Sequence, residues 1–158
     1  GLRTKKVLVA KVKVYVAELL SSDASKFIRT EGNALGSLEE SRTIAIRLNF
    51  LRDVDAEKVQ TSFKEALEAN KVTDADGSVA KFLKAVDKGG DAKSGKALTI
   101  VTQKNADGTE SVTYEDTNGT VTTVQGAKGF SSKIMSIWLG KPSDDGVKAL
   151  KEQIIQGL

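Results

Sequence analysis

Residues 42–67, RTIAIRLNFLRDVDAEKVQTSFKEAL, contain the change of hydrophobic period that decides the fold class. Between Ile44 and Phe50 every second residue is apolar, which predicts a strand with one buried face. After Asp55 the apolar residues recur every three to four positions, which predicts an amphipathic helix with Asp55 as its N-cap. The chain therefore passes from sheet to helix within this stretch.

Upstream of this stretch, residues 7–20 (VLVAKVKVYVAELL) are predicted to form one continuous strand. Its even positions from Leu8 to Val16 are all apolar, so this face is expected to be buried. Tyr15 falls on the mixed face, among lysines, and Arg3 falls just before the strand.

Downstream, the pattern predicts a short helix, a three-stranded antiparallel meander and two further helices. The expected ranges are a helix at 78–87, strands at 96–103, 109–115 and 120–125, a helix at 130–139 and a last helix from 144 onward. The order strands, helices, strands, helices predicts an α+β fold. We expect an antiparallel sheet with helices on one face, in a single domain spanning residues 1–158.

The composition excludes several classes of site. The chain has no His and no Cys, so it cannot form a zinc finger, a disulfide or a His-based catalytic triad. The net charge of +3 is spread over the chain, so no nucleic-acid partner is expected. No metal site is predicted, and no apolar run approaches the length that spans a bilayer.

Residues 90–96, GDAKSGK, match the first seven positions of a phosphate-binding P-loop. However, Ala97 stands where a Ser or Thr would hold magnesium, and the stretch follows a helix and precedes a strand, the reverse of the required order. A loop that joins helix to sheet is therefore the favoured interpretation.

Arg3 and Tyr15 are the candidate ligand-binding pair that the residues themselves indicate. A guanidinium and a phenol that converge on one cavity suit a carboxylate or a phenolate. The spacing alone equally allows a solvated Arg and an interfacial Tyr.

Three stretches together resemble the chalcone isomerase family, in particular its bacterial chalcone isomerase-like branch. They are spread over almost the whole length of the chain: GLRTKKVLVAKVKVYVAELL at 1–20, LNFLRDVDAEKVQTSFKEALEAN at 48–70 and KGFSSKIMSIWLGKPSDDGVKALKEQIIQGL at 128–158. The resemblance implies an open-faced β-sandwich, a large antiparallel sheet with a layer of helices. It also implies that a strand or signal region precedes Gly1 in the native protein, and a periplasmic or secreted location.

The resemblance places Arg3 on the Arg that stabilises the enolate in the plant enzymes. Lys64 falls near a Lys of the plant site, and Asn70 is a candidate for its helix Asn. Apolar residues, Ala10 and Ile137, fall where the enzymes carry polar groups, which predicts little efficient cyclisation.

Fatty-acid-binding members of the family hold a carboxylate with an Arg and a Tyr, which match Arg3 and Tyr15. We therefore expect a non-catalytic protein that binds a small amphiphilic carboxylate or phenolic ligand, without a cofactor. The alternatives are an isomerase of the intramolecular lyase type with weak or altered specificity, and a partner-binding module with a collapsed pocket. The ligand's identity and the oligomeric state stay open.

Overall fold

Six strands pair in the order in which they occur along the chain, and every pair is antiparallel. This computed structural model describes all residues from 1 to 158. The strands are β1 (Leu2–Val7), β2 (Ala10–Ser21), β3 (Thr43–Phe50), β4 (Ala97–Lys104), β5 (Glu110–Glu115) and β6 (Val121–Gly126). The helices are α1 (Ala34–Ser37), α2 (Ala56–Ala69), α3 (Ser78–Lys88), α4 (Phe130–Leu139) and α5 (Asp145–Gln156), with short 3-10 turns at Ala24–Lys26 and Leu38–Glu40.

The predicted change of period around Asp55 is confirmed. Ile44, Ile46 and Leu48 are almost fully buried on one face of β3, and α2 begins at Ala56. Asp55 occupies the N-cap position, but its side chain makes no capping hydrogen bond. Asp91 contributes instead, because its Oδ1 accepts from the Ala56 N–H at 3.0 Å.

The predicted single strand at 7–20 is wrong, since the chain reverses at Leu8 and Val9 and forms a hairpin. Val7 pairs with Ala10 across this two-residue turn, and Leu8 has a positive φ of 57°. Turns of this kind usually contain Asn or Gly, so two apolar residues concealed the reversal. Arg3 consequently lies within β1 rather than ahead of the first strand.

The predicted buried face of this segment is also wrong in part, because β2 contains a bulge. Arg3 pairs with Tyr15 whereas Thr4 pairs with Lys13, so Val14 is the extra residue. A bulge shifts the alternation of side chains between the two faces of a strand. Beyond the bulge, Tyr15 and Ala17 are therefore the buried residues.

The helices cover one face of the sheet and enclose a single hydrophobic core, which confirms the predicted α+β architecture. α5 packs on β1 and β2, α4 packs on β4 and β5, and α2 packs against α3 and α4. Trp138, Phe63 and Phe82 are among the largest fully buried side chains. Because α2 lies against other helices, space remains between it and the β1–β2 hairpin.

The P-loop-like stretch at 90–96 is a loop between α3 and β4. Ala92 forms an isolated antiparallel bridge with Val54, and the Ser94 N–H donates to Asp53 Oδ1 at 2.8 Å. These contacts tie the loop to the segment that precedes α2. None of the helices has the length and hydropathy needed to cross a membrane.

Candidate functional site

Arg3 and Tyr15 lie side by side, because they are direct cross-strand partners on β1 and β2. Both are almost fully buried, with 4% and 7% of their surface exposed. Arg3 Nη2 donates to Asp144 Oδ2 at 2.6 Å, and Arg3 Nη1 donates to the Thr4 carbonyl oxygen. Tyr15 Oη accepts from Trp138 Nε1 at 3.1 Å. The structure thus brings together the pair that the sequence singled out.

Asp144 holds the guanidinium of Arg3 against the start of α5. Its other oxygen, Oδ1, accepts from the Val147 N–H at 2.9 Å and caps that helix. Gly146 allows this close approach, since a Cβ there would collide with the Thr4 carbonyl and Arg3 Nη1. One carboxylate therefore serves both as helix cap and as the counter-ion of Arg3.

Tyr15 is a neutral phenol at ordinary pH. Burial raises the pKa of its hydroxyl above the usual value of 10.0, and the opposing effects of the Arg3 charge and the Trp138 N–H do not cancel that rise. Its oxygen accepts from Trp138, while no group of the protein accepts its proton. The Tyr15 O–H can therefore donate a hydrogen bond to an oxygen atom of a ligand.

A cavity of about 310 Å³ opens beside this pair, between the β1–β2 hairpin and α2. Eight of its 15 lining residues are hydrophobic. The apolar wall is formed by Val7, Val12, Val14, Phe50, Val54, Val59 and Phe63, with the ring of Tyr15 5.4 Å from that of Phe50. An apolar wall that ends at a few polar donors is the usual form of a small-molecule site.

The remaining lining residues are mostly charged. Lys5, Arg52 and Lys58 are the additional cations, against the carboxylates of Asp53 and Asp55. Asp55 lies 3.6 Å from Lys58 at the surface, and Asp53 already accepts the Ser94 N–H. With Arg3 the lining contains four cations and two carboxylates, and Asp144, which pairs with Arg3, leaves a surplus of one positive charge that favours an anionic ligand.

Two larger depressions lack this combination. One of about 490 Å³ lies near α1 and the β4–β5 turn, and only four of its 15 lining residues are hydrophobic. Another of about 460 Å³ lies between β2 and the end of α5 and is lined by Arg29 and Glu18 among mainly apolar residues. Arg29 is engaged there, because it donates to the Ile155 carbonyl at 3.1 Å.

The other sequence-predicted positions do not line the Arg3–Tyr15 cavity. Lys64 is exposed on α2. Asn70 lies at the end of α2, where its side chain bonds the backbone of Lys141 and Ser136. Ala10 is exposed at the start of β2, and Ile137 is buried within the core. The replacement of polar groups at Ala10 and Ile137 therefore does not explain the character of the cavity wall.

The sequence pattern missed Asp144 and Trp138 as partners of the pair, and Lys5 and Lys58 as lining residues. The sequence shows Trp138 only as part of the helix predicted at 130–139, and Asp144 only as the start of the last predicted helix. No group of three or more acidic residues is arranged to hold a metal ion.

A family model described as chalcone isomerase-like matches residues 1–154. The chain belongs to the chalcone isomerase-like family. Its family membership confirms the resemblance that the three sequence stretches carry, and the six-stranded sheet with its helix layer agrees with it.

Among solved structures, this chalcone isomerase-like chain is similar to the crystal structure of a fatty-acid binding protein from Arabidopsis thaliana. The two share 17% sequence identity and a TM-score of 0.60, over 98% of this chain and 85% of the other. At this identity the likeness shows a shared fold. No curated protein matches the chain.

Proposed function

We propose that this chalcone isomerase-like protein binds a small amphiphilic carboxylate of the fatty-acid type in the cavity between the β1–β2 hairpin and α2. The observation that carries the proposal is the buried Arg3–Tyr15 pair at one end of a largely apolar cavity. The family and the fatty-acid binding structural neighbour support the same ligand class. An open cavity at this place also argues against a collapsed pocket.

The donors at the polar end suit a carboxylate. Two of the five N–H groups of Arg3 are used, by Asp144 and by the Thr4 carbonyl, and the Tyr15 O–H has no acceptor in the protein. Hydrogen bonds from charged or buried donors to a carboxylate contribute about 1.5–3 kcal/mol each. The volume lies at the lower end of the usual range for small-molecule sites, so a short acyl chain fits better than a long one.

The ion pair with Asp144 moderates the affinity of this site. A ligand carboxylate shares Arg3 with Asp144, and the cationic residues Lys5, Arg52 and Lys58 offset the added negative charge. Since these side chains lie at the rim, binding should weaken as the salt concentration rises.

Calorimetric titration of decanoate into Arg3→Met and Tyr15→Phe tests the proposal. Each variant should bind about tenfold more weakly than the parent, because each loses one hydrogen bond to the ligand. Lys64→Met is the matched control, since Lys64 is exposed outside the cavity, and it should bind as the parent does. Near-UV circular dichroism checks that each variant is folded. Equal affinity of all four proteins would refute the proposal.

Isomerase activity is the second candidate, because Arg3 and Tyr15 could equally donate to an enolate or phenolate oxygen. An absorbance assay with a chalcone substrate distinguishes the two. Turnover that is lost in Arg3→Met would assign a catalytic function to the cavity, whereas decanoate binding without turnover supports the non-catalytic proposal.

A further inference from the structure

The turn between β1 and β2 presents an exposed apolar tip. Leu8 is 90% exposed and Val9 is 95% exposed, more than any other large apolar residue of the chain, and the neighbouring Val7 is 52% exposed. These three consecutive residues, the hairpin tip, make up an apolar projection that the fold does not bury.

Two features of the hairpin are unfavourable for folding. Leu8 adopts a positive φ of 57°, a conformation that bulky side chains rarely take and that Asn or Gly would adopt readily. Lys6 and Lys11 are direct cross-strand partners, and like charges in that arrangement repel. Neither feature is compensated by packing, because Lys6, Leu8 and Lys11 are all exposed.

Lysines surround the hairpin tip on both faces of the hairpin. Residues 4–13, TKKVLVAKVK, contain four lysines and no acidic residue. Lys5 lines the cavity, and by strand alternation Lys6, Lys11 and Lys13 point to the opposite face. An apolar tip with cations on either side is complementary to a surface that is apolar inside and negatively charged at its boundary.

We propose that the β1–β2 hairpin docks on an anionic lipid bilayer, with Leu8 and Val9 inserted among the headgroups and the lysines bound to lipid phosphates. Apolar insertion and electrostatic attraction to anionic lipids add up in such surface binding. A protein partner fits the hairpin less well, because lysine is depleted in protein interfaces. This docking depends on the hairpin and not on Arg3 or Tyr15.

The docked orientation also concerns the cavity. Val7, the first residue of the hairpin tip, lines the cavity wall together with the neighbouring Lys5 and Val12. Docking places the cavity opening at the lipid boundary, from which an amphiphile can enter. This second consequence rests on the proposed function.

Vesicle sedimentation with the Leu8→Asn, Val9→Gly double variant tests the docking. Of the two turn residues only Leu8 has a positive φ, which Asn adopts more readily than Leu, so the variant should fold as the parent does while it lacks the exposed Leu8 and Val9 side chains. The parent should sediment with vesicles of phosphatidylcholine and phosphatidylglycerol, and much less with phosphatidylcholine alone. The affinity of the double variant for the anionic vesicles should be lower than that of the parent by about tenfold or more. The double variant should bind decanoate in solution as the parent does. This result would show that its weaker vesicle binding does not come from a change in the cavity.

A second variant pair tests the charges. Replacing Lys6, Lys11 and Lys13 by Gln should lower the affinity for anionic vesicles by about tenfold or more. The same replacement of the exposed Lys81, Lys84 and Lys88 on α3 removes equal charge elsewhere and should change it little. Absence of parent binding to anionic vesicles, or equal loss in both triple variants, overturns the proposal. Self-association of the parent that the Leu8→Asn, Val9→Gly change abolishes, without vesicle binding, would instead assign the tip to a protein contact.

Discussion

Asp144 is the residue that sets the electrostatic state of the candidate site, because it is the carboxylate that pairs with the buried Arg3. Burial by itself would raise the pKa of Asp144, but the Val147 N–H, the Arg3 hydrogen bond and the Arg3 charge together hold that pKa below its usual value of 3.8. The carboxylate is therefore charged throughout the neutral range and stabilises the folded state there.

Asp144→Asn should lower the free energy of unfolding by about 1–2 kcal/mol at neutral pH, since Asn retains the helix cap but leaves Arg3 without its counter-ion. The folded-state pKa of Asp144 is depressed, so its stabilisation is complete above the unfolded value of 3.8 and is lost as the pH falls through the folded value. The difference between parent and variant in urea unfolding should accordingly shrink below about pH 4.

Asp145→Asn is the matched control, because Asp145 lies in the same first turn of α5, is exposed and makes no ion pair. It should change the free energy of unfolding by less than about 0.5 kcal/mol. A pH-independent difference between the parent and Asp144→Asn would contradict the assigned ion pair.

At this scale the sequence indicated part of the site. Arg3 and Tyr15 could be chosen because Arg3 falls just before the predicted strand that carries Tyr15 and because their chemistry matches a carboxylate. Asp144 is 141 residues from Arg3, and Trp138 is 123 residues from Tyr15. Such contacts depend on how α4 and α5 pack on the hairpin, which no local pattern specifies.

Among the elements, α2 is fastened to the α4–α5 connection through a single side chain. Asn70 Oδ1 accepts from the Lys141 N–H at 2.7 Å, and Nδ2 lies within 3.3 Å of the Ala66, Ser136 and Lys141 carbonyls. A glycine is needed at position 140, because a Cβ there would collide with the side-chain amide oxygen of Asn70, Oδ1. The predicted binding position at Asn70 therefore coincides with a structural contact between elements.

Asn70→Ala should lower the free energy of unfolding by about 2 kcal/mol, since it removes several hydrogen bonds and leaves a backbone N–H and carbonyls without their partner. Decanoate affinity should not change, because Asn70 lies outside the cavity. Chemical denaturation and calorimetric titration measure the two quantities. Asn33→Ala, which removes one exposed side-chain bond to Thr30, is the control. Loss of decanoate binding with full stability would instead support a ligand-binding role for Asn70.

The elements that local chemistry specifies were predicted well. The turns of the β4–β6 meander contain Asn, Asp and Gly, and α2 and α3 have regular apolar spacing. The β1–β2 reversal was missed because Leu8 and Val9 have none of the residues that favour a turn. The bulge at Val14 was missed for a related reason, since an extra residue is defined only by the partner strand.

At the scale of the whole molecule, the burial of the two tyrosines makes the stability of the fold depend on pH in the alkaline range. Burial raises the pKa of Tyr15 and of Tyr114 above 10.0, with Asp116 adding to the effect at Tyr114. Both phenols thus remain protonated in the folded protein at pH values where the unfolded chain ionises them.

Raising the pH above 10 should therefore lower the free energy of unfolding, by about 1.4 kcal/mol per pH unit for each tyrosine, because the unfolded state loses protons that the folded state retains. Tyr114→Phe should reduce this slope by about one tyrosine's share. Phenolate absorbance during alkaline titration provides the direct check. A rise near pH 10 while near-UV circular dichroism still reports a folded core would contradict the burial of these side chains.

The sequence by itself determined the fold class and singled out Arg3 and Tyr15, and its resemblance to known members indicated the family. These depend on hydrophobic period, turn chemistry and motif spacing, which are local properties of the chain. Only the tertiary structure decided that Arg3 is paired with Asp144, that Tyr15 accepts from Trp138 and that Lys64 and Asn70 lie elsewhere. The physical reason is that ion pairs and cavities form where distant segments meet, and the hairpin tip stays exposed because no other segment covers it. Burial is therefore a property of the packed chain rather than of any one segment.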